Sequence, residues 1–116
     1  MSREQLEGLR SYTLQINTLE RQQAQLKAAS GIDAKKAKKL KLLEAKVLLL
    51  LIKIDDEYIK ALQYVDTLTD PYIRTIIMLR IFDGLTWRQI AQRLGGGNTE
   101  SSVKMAYFRH FEHAGV

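Results

Sequence analysis

The chain has 116 residues, 46% of them apolar, with one proline, no cysteine and a net charge of +5, which suits one domain with a buried core and not a disordered or linker-rich chain. The absence of cysteine excludes disulfide frameworks, thiolate metal sites and thiol nucleophiles. The longest apolar run, residues 47–52, falls far short of the roughly 20 residues that span a bilayer, and the N-terminus has no stretch of signal-peptide type, so a soluble cytoplasmic protein without membrane contact is expected.

Strand signals are nearly absent and helical periodicity runs throughout. Ser2, with Gln5 three residues on, forms a capping box that starts a helix reaching about residue 29. Leu9, Tyr12, Ile16, Leu19 and Leu26 follow heptad spacing, with Gln23 where a hydrophobe would stand. A polar break of this kind fixes register or strand number at a cost in stability. Ser30-Gly31-Ile32-Asp33 is the first punctuation, with Gly31 suited to a left-handed helix ending and Asp33 to an N-cap.

A second helix is expected over residues 34–69. Leu40, Leu43, Val47, Leu50, Ile54, Tyr58, Ala61, Val65 and Leu68 recur at three- and four-residue steps without an intervening Gly or Pro. A straight helix of that length would be roughly 54 Å long, so it must be a coiled coil, a hairpin arm, or broken. Its charge is segregated: residues 34–53 carry seven Lys against one Glu, whereas 54–70 carry one Lys against five acids. Residues 47–52 are apolar around the whole circumference, so a first helix folded back on the second covers one side and leaves the other for a further partner, most simply a second copy. Residues 1–69 are therefore expected to form a long helical hairpin or coiled coil that makes a homodimer through Leu9, Ile16, Leu19, Leu26, Leu43, Val47, Leu50 and Ile54.

Residues 70–116 differ in composition, holding six of the nine aromatics and five of the seven glycines. Asp70 caps a third helix with Pro71 at its first position; it runs to about Phe82 and stops at Asp83-Gly84. Thr86 and Gln89 form a capping box for a fourth, which ends at Leu94 before three glycines. Asn98 or Thr99 caps the last, which reaches about Glu112. Two short helices joined by a glycine-containing turn describe a helix-turn-helix. Ala91 is small where the helices cross, and Ile90 and Leu94 point to the core. Val103, Ala106, Tyr107 and Phe111 make the inner stripe of the last helix, and Glu100, Ser101, Lys104, Phe108 and Arg109 the outer one. The glycines and Asn98 make the turn about a residue longer than usual.

The stretch Leu79-Arg80-Ile81-Phe82-Asp83-Gly84-Leu85-Thr86-Trp87-Arg88-Gln89-Ile90-Ala91-Gln92-Arg93-Leu94, followed by Thr99-Glu100-Ser101-Ser102-Val103-Lys104, resembles the fourth conserved region of bacterial sigma factors. Its Thr-Trp variant is similar to small transcription regulators encoded by phages and mobile elements of Gram-positive bacteria, which also tend to carry a helical N-terminal half. The resemblance spans residues 70–112. It implies an all-α chain in which a sigma-like helix-turn-helix domain, residues 70–116, binds double-stranded DNA through a recognition helix over about 99–112. By position it assigns Thr99, Glu100, Ser101, Ser102 and Lys104 to the major groove and Thr86, Arg88 and Arg109 to phosphates. It also implies RNA polymerase or another regulator as a further partner. Sigma factors often carry arginine where Glu100, Ser102 and Lys104 stand, so the same DNA sequence is not implied, and residues 1–69 hold nothing like the promoter-melting region of a complete sigma factor.

Other signals have plainer readings. Trp87, one turn before Ile90, reads as core. The lysines of residues 35–41 circle the helix and do not form a stripe, which favours a solvated face over a phosphate track. Asp55, Asp56 and Glu57 point in different directions, and His110, Glu112 and His113 lack a further ligand, so neither a metal nor a cofactor is expected. Gly95-Gly96-Gly97 lacks the lysine and the preceding strand of a phosphate loop, and no catalytic constellation is evident, so the chain is not read as an enzyme. The leading expectation is a DNA-binding transcription regulator. Its rivals are a protein-interaction factor that binds RNA polymerase or a repressor, and a DNA-recognition subunit of a phage packaging machine.

Overall fold

The computed structural model describes residues 1–29, 31 and 33–113. Among these the chain forms five α-helices and one π-helical turn: α1 (Arg3–Ala28), α2 (Ala34–Thr67), α3 (Pro71–Ile77), the π-turn (Met78–Phe82), α4 (Trp87–Leu94) and α5 (Glu100–His113). The principal extents are 54 × 32 × 18 Å.

The helix starts follow local chemistry. The Gln5 amide donates to Ser2 Oγ at 3.1 Å and the Ser2 amide to Gln5 Oε1 at 2.8 Å, the two halves of a capping box. Asp33 accepts from the Lys36 amide at 2.8 Å to begin α2, and Asp70 accepts from the Tyr72 amide at 2.9 Å ahead of Pro71. Gly31 takes φ +74°, the left-handed region that favours glycine, while Ser30 and Ile32 of the expected punctuation lie outside the described residues, as do residues 114–116.

The turn after α1 folds it back antiparallel on α2. Leu9 and Ile54 are both 3% exposed and Leu43 6%, while Leu19, Leu26, Val47 and Leu50 are half-buried. The eight residues expected between chains thus lie along the seam between α1 and α2 of one chain, where a short turn brings the two helices together before any second molecule is needed. α2 is unbroken over 34 residues, so the long pattern is a hairpin arm.

α1 is buried on two sides. Besides Leu9 and Ile16, it buries Leu6 completely and Thr13 to 6% exposure, because its first half is wedged between α2 and the helices that follow. Heptad spacing alone places Leu6 and Thr13 off the seam. One cluster of buried side chains runs from Leu6, Ile54 and Val65 through Ile76, Ile77 and Ile81 to Ile90, Val103 and Phe111, so the core is continuous across the turn between α2 and α3. The third helix, expected to run regularly to Phe82, widens after Ile77 into the π-turn, which the Asp83 amide closes by donating to the Met78 carbonyl at 3.2 Å. Ile76, Ile77 and Ile81 are fully buried and Leu79 nearly so; widening the turn lets these four side chains point inward together.

Candidate nucleic-acid interface

The surface of interest is made by α4, the glycine turn and α5. Thr86 and Gln89 cap α4 reciprocally, with the Gln89 amide 3.2 Å from Thr86 Oγ1 and the Thr86 amide 2.9 Å from Gln89 Oε1. Ile90 is fully buried and Ala91 is 7% exposed, so α4 meets α5 closely at a small side chain. Gly95 and Gly96 have φ of +67° and +60°, which side chains with a Cβ rarely adopt. Asn98 fastens the turn: its Nδ2 donates to the Gly95 carbonyl at 2.7 Å, and its Oδ1 accepts from the Tyr72 hydroxyl at 2.7 Å. The longer turn is thus tied to the start of α3.

α5 opens with a second reciprocal cap. The Ser102 amide donates to Thr99 Oγ1 at 3.1 Å and the Thr99 amide to Ser102 Oγ at 2.9 Å, while the Ser102 hydroxyl donates to the Thr99 carbonyl at 3.0 Å. Val103 and Tyr107 are fully buried and Phe111 is 3% exposed, which fixes the rotation of the helix. Glu100, Ser101, Lys104, Met105 and Arg109 are exposed, and Arg88 is exposed on the first turn of α4. Met105, 54% exposed, lies between Ser101 and Arg109 and was not anticipated. Phe108, expected on the outer stripe, is instead half-buried against the core; Arg3 of α1 sits 4.5 Å above its ring, because the start of α1 covers that side of α5.

The eight residues assigned by position therefore divide into two groups. Thr86, Thr99 and Ser102 have their hydroxyls engaged in helix starts. Arg88, Glu100, Ser101, Lys104 and Arg109 present side chains to solvent. Residues 70–113 contain six Lys and Arg against four acids, a modest excess, so charge alone gives this surface limited attraction for phosphate. The lysines of residues 35–41 stand at the far end of the hairpin. Along α1 the separation from residue 7 to residue 27 is about 30 Å, so they do not extend the α5 surface of the same chain.

Behind this face lies a polar cluster that fixes it to α1. Arg80 Nη2 donates to Glu7 Oε1 at 2.8 Å and its Nε to Glu7 Oε2 at 3.3 Å, a two-pronged pairing that Arg geometry favours. The Tyr107 hydroxyl donates to Glu7 Oε2 at 3.0 Å. Arg80 also stacks 4.2 Å from the centre of the Trp87 ring, and Trp87 meets Tyr107 edge-on at 4.8 Å, so the tryptophan packs onto the core through these partners. Burial, then the charge of Glu7 and the hydrogen bond to it, drive the Tyr107 phenol far above its ordinary range. Arg10 Nη2 reaches the Gly84 and Leu85 carbonyls, both at 3.2 Å; burial, then the nearby Arg80 charge, lower its pKa. At the other end of α5, His110 Nε2 is 2.8 Å from the Tyr64 hydroxyl, and burial lowers the imidazole pKa while Asp70 opposes the shift.

Neither Glu7 nor Arg10 stood out in the sequence, and Arg80 entered only as part of the sigma-like stretch, without a role of its own. The available signal was a second row on α1, Leu6, Arg10, Thr13 and Asn17 at four- and three-residue steps, which faces the helices after α2 while the heptad row faces α2. Among the described residues no group of three or more His, Cys, Asp or Glu could hold a metal, and no helix is long and apolar enough to cross a membrane. No family model, characterised protein or solved structure matches the chain significantly.

Proposed function

We propose that the chain is a sequence-specific DNA-binding regulator of transcription that inserts α5 into the major groove. The observation that carries this reading is the exposed outer face of α5, held at a fixed rotation by Val103, Tyr107 and Phe111. That face offers Ser101 and Lys104 on its first turns, the part of a recognition helix that meets base edges. Arg88 at the start of α4 and Arg109 further along α5 serve as phosphate contacts. Thr86, Thr99 and Ser102 act through the backbone: by capping their helices they set how α4 and α5 approach the duplex. The likeness of residues 79–94 and 99–104 to the sigma-factor region supports the same docking.

Selection from a random-sequence duplex library at two salt concentrations tests the proposal. Phosphate contacts weaken steeply as salt rises, whereas base readout keeps its preference. An enriched motif that persists at the higher salt, and is lost with Ser101→Ala plus Lys104→Ala, is the expected result. Enrichment of nothing would remove the DNA reading. The exposed Met105, an apolar side chain amid polar neighbours, then favours a second reading, a docking face for RNA polymerase or another regulator.

A further inference from the structure

The outer face of α2 carries apolar side chains that no other described residue covers. Leu49 is 66% exposed, Ile52 64%, Leu48 58% and Ile59 47%. They lie on the side of the helix opposite Leu43, Ile54, Ala61 and Val65, which are buried against the rest of the chain. With Leu42 the exposed apolar area of this face comes to about 500 Å² per chain, within the range of the largest apolar patches on soluble monomers, which are often functional. Two such faces together come to about 1,000 Å², the size at which a specific interface becomes credible when the surfaces are complementary.

The charges on the same face select the occupant. Lys38 and Lys41 lie on it towards the N-terminal end of α2, and Asp66 towards the C-terminal end, all three exposed. They follow the overall segregation of α2, in which residues 34–53 carry seven Lys against one Glu and 54–70 carry five acids against one Lys. A parallel copy would set lysine against lysine and Asp55 and Asp56 against themselves. An antiparallel copy sets the basic half of each helix against the acidic half of the other, and like charges across strands or helices are the costly arrangement.

We propose that two copies of this chain pair through the outer face of α2 in antiparallel order, about a two-fold axis near Ile52, to give a four-helix assembly of two hairpins. Lys38 and Asp66 are equally far from Ile52 along the helix, so each Lys38 meets the partner's Asp66 at both ends of the contact. Leu48, Leu49 and Ile52 close the middle. The pairing is self-complementary, as two-fold interfaces are. It uses residues other than those of the hairpin seam, and it stands independently of the DNA reading.

Sedimentation equilibrium on the full chain without DNA tests the proposal. The expected mass is twice the chain's 13.3 kDa at micromolar concentration, falling to the monomer in Ile52→Glu with unchanged helical circular dichroism, since Ile52 supports no core. At low salt Lys38→Glu weakens the dimer about tenfold. Adding Asp66→Lys to the same chain restores it to within about threefold, because an antiparallel contact re-forms with the charges exchanged. A monomer at 100 µM, a larger ring, or a dimer indifferent to Ile52→Glu would overturn the interface. Failure of the double variant to recover would overturn the antiparallel order. DNA selection with the Ile52→Glu monomer separates the two proposals: a half-site motif retained there leaves the DNA reading in place whatever the fate of the dimer.

Discussion

Replacing Glu7 by Ala removes one carboxylate and strands two buried partners at once. Arg80, whose side chain is 12% exposed, would keep only the Leu85 carbonyl at 3.3 Å and the Trp87 ring. Tyr107, fully buried, would lose the acceptor for its hydroxyl. Breaking a fully buried ion pair from one side costs about 3–5 kcal/mol. The Glu7 side chain is 34% exposed, so water can reach the vacated site and the charge contribution falls to about 2 kcal/mol. An orphaned hydroxyl adds about 1 kcal/mol. The expected loss is therefore about 3 kcal/mol, or roughly 10 °C in melting temperature for a chain of this size. Glu7→Gln, which keeps an acceptor for Tyr107, should cost less than half as much. Urea and thermal unfolding followed by far-ultraviolet circular dichroism and by fluorescence of Trp87, the single tryptophan, make the measurement. Because one core crosses from the hairpin to α5, both signals should move together in a single transition. A change below about 0.5 kcal/mol, or a Trp87 transition that stays put while the helical signal shifts, would refute the claim that this cluster joins α1 to the π-turn and α5.

Three further outcomes are expected. Gly84→Ala should destabilise by about 1–2 kcal/mol, since the position has φ +70° and a Cβ there would lie 3.2 Å from both Asn17 and Leu14; denaturant titration showing no loss would mean that the contact with α1 is loose. Thr99→Ala should remove the cap on α5 at about 1 kcal/mol of stability and weaken binding to all duplexes alike, whereas Ser101→Ala should leave stability unchanged and alter sequence preference, a contrast read from melting curves beside binding curves. The third concerns acid. Burial keeps the folded His110 from taking a proton until below its ordinary 6.5, so the unfolded chain binds that proton first. Stability contributed by the neutral ring, which pairs with the Tyr64 hydroxyl, is present above pH 6.5 and is lost as pH falls towards the depressed folded value. Melting temperatures between pH 7.5 and 5 should decline less steeply in His110→Asn, and parallel slopes would remove His110 as the source.

Much of the fold is legible because it is written in local chemistry. Ser2, Asp33, Asp70 and Thr86 each mark a helix start within a few residues, and three- and four-residue spacing yields the long hairpin and the inner stripe of α5. The misses share a cause. Leu6 and Thr13 escape notice because a seam of one period assumes one partner, whereas α1 has two. Phe108 looks outward on a helical wheel that does not know Arg3 will lie across it. The π-turn leaves no mark in Met78-Leu79-Arg80-Ile81-Phe82, whose widening answers to four large side chains competing for one interior. At the candidate site, the exposed polar positions could be read from the rotation of α5. The engagement of Thr99 and Ser102 with each other could not, because serine and threonine serve equally as caps and as contacts.

The contact between Glu7 and Tyr107 joins residues 100 positions apart, and this has a consequence for how the chain assembles. During synthesis α1 emerges first, and α1 and α2 can zip up from their short turn as soon as both are out. Leu6 and Glu7 must then wait for their full set of partners until α5 has been made. Closing so long a loop is slow relative to helix pairing, so the first two turns of α1 should dock last. A defect at Glu7 should accordingly speed unfolding far more than it slows folding. A nascent or truncated chain lacking α5 would carry an open apolar end at α1, the kind of surface on which chaperones and proteases act.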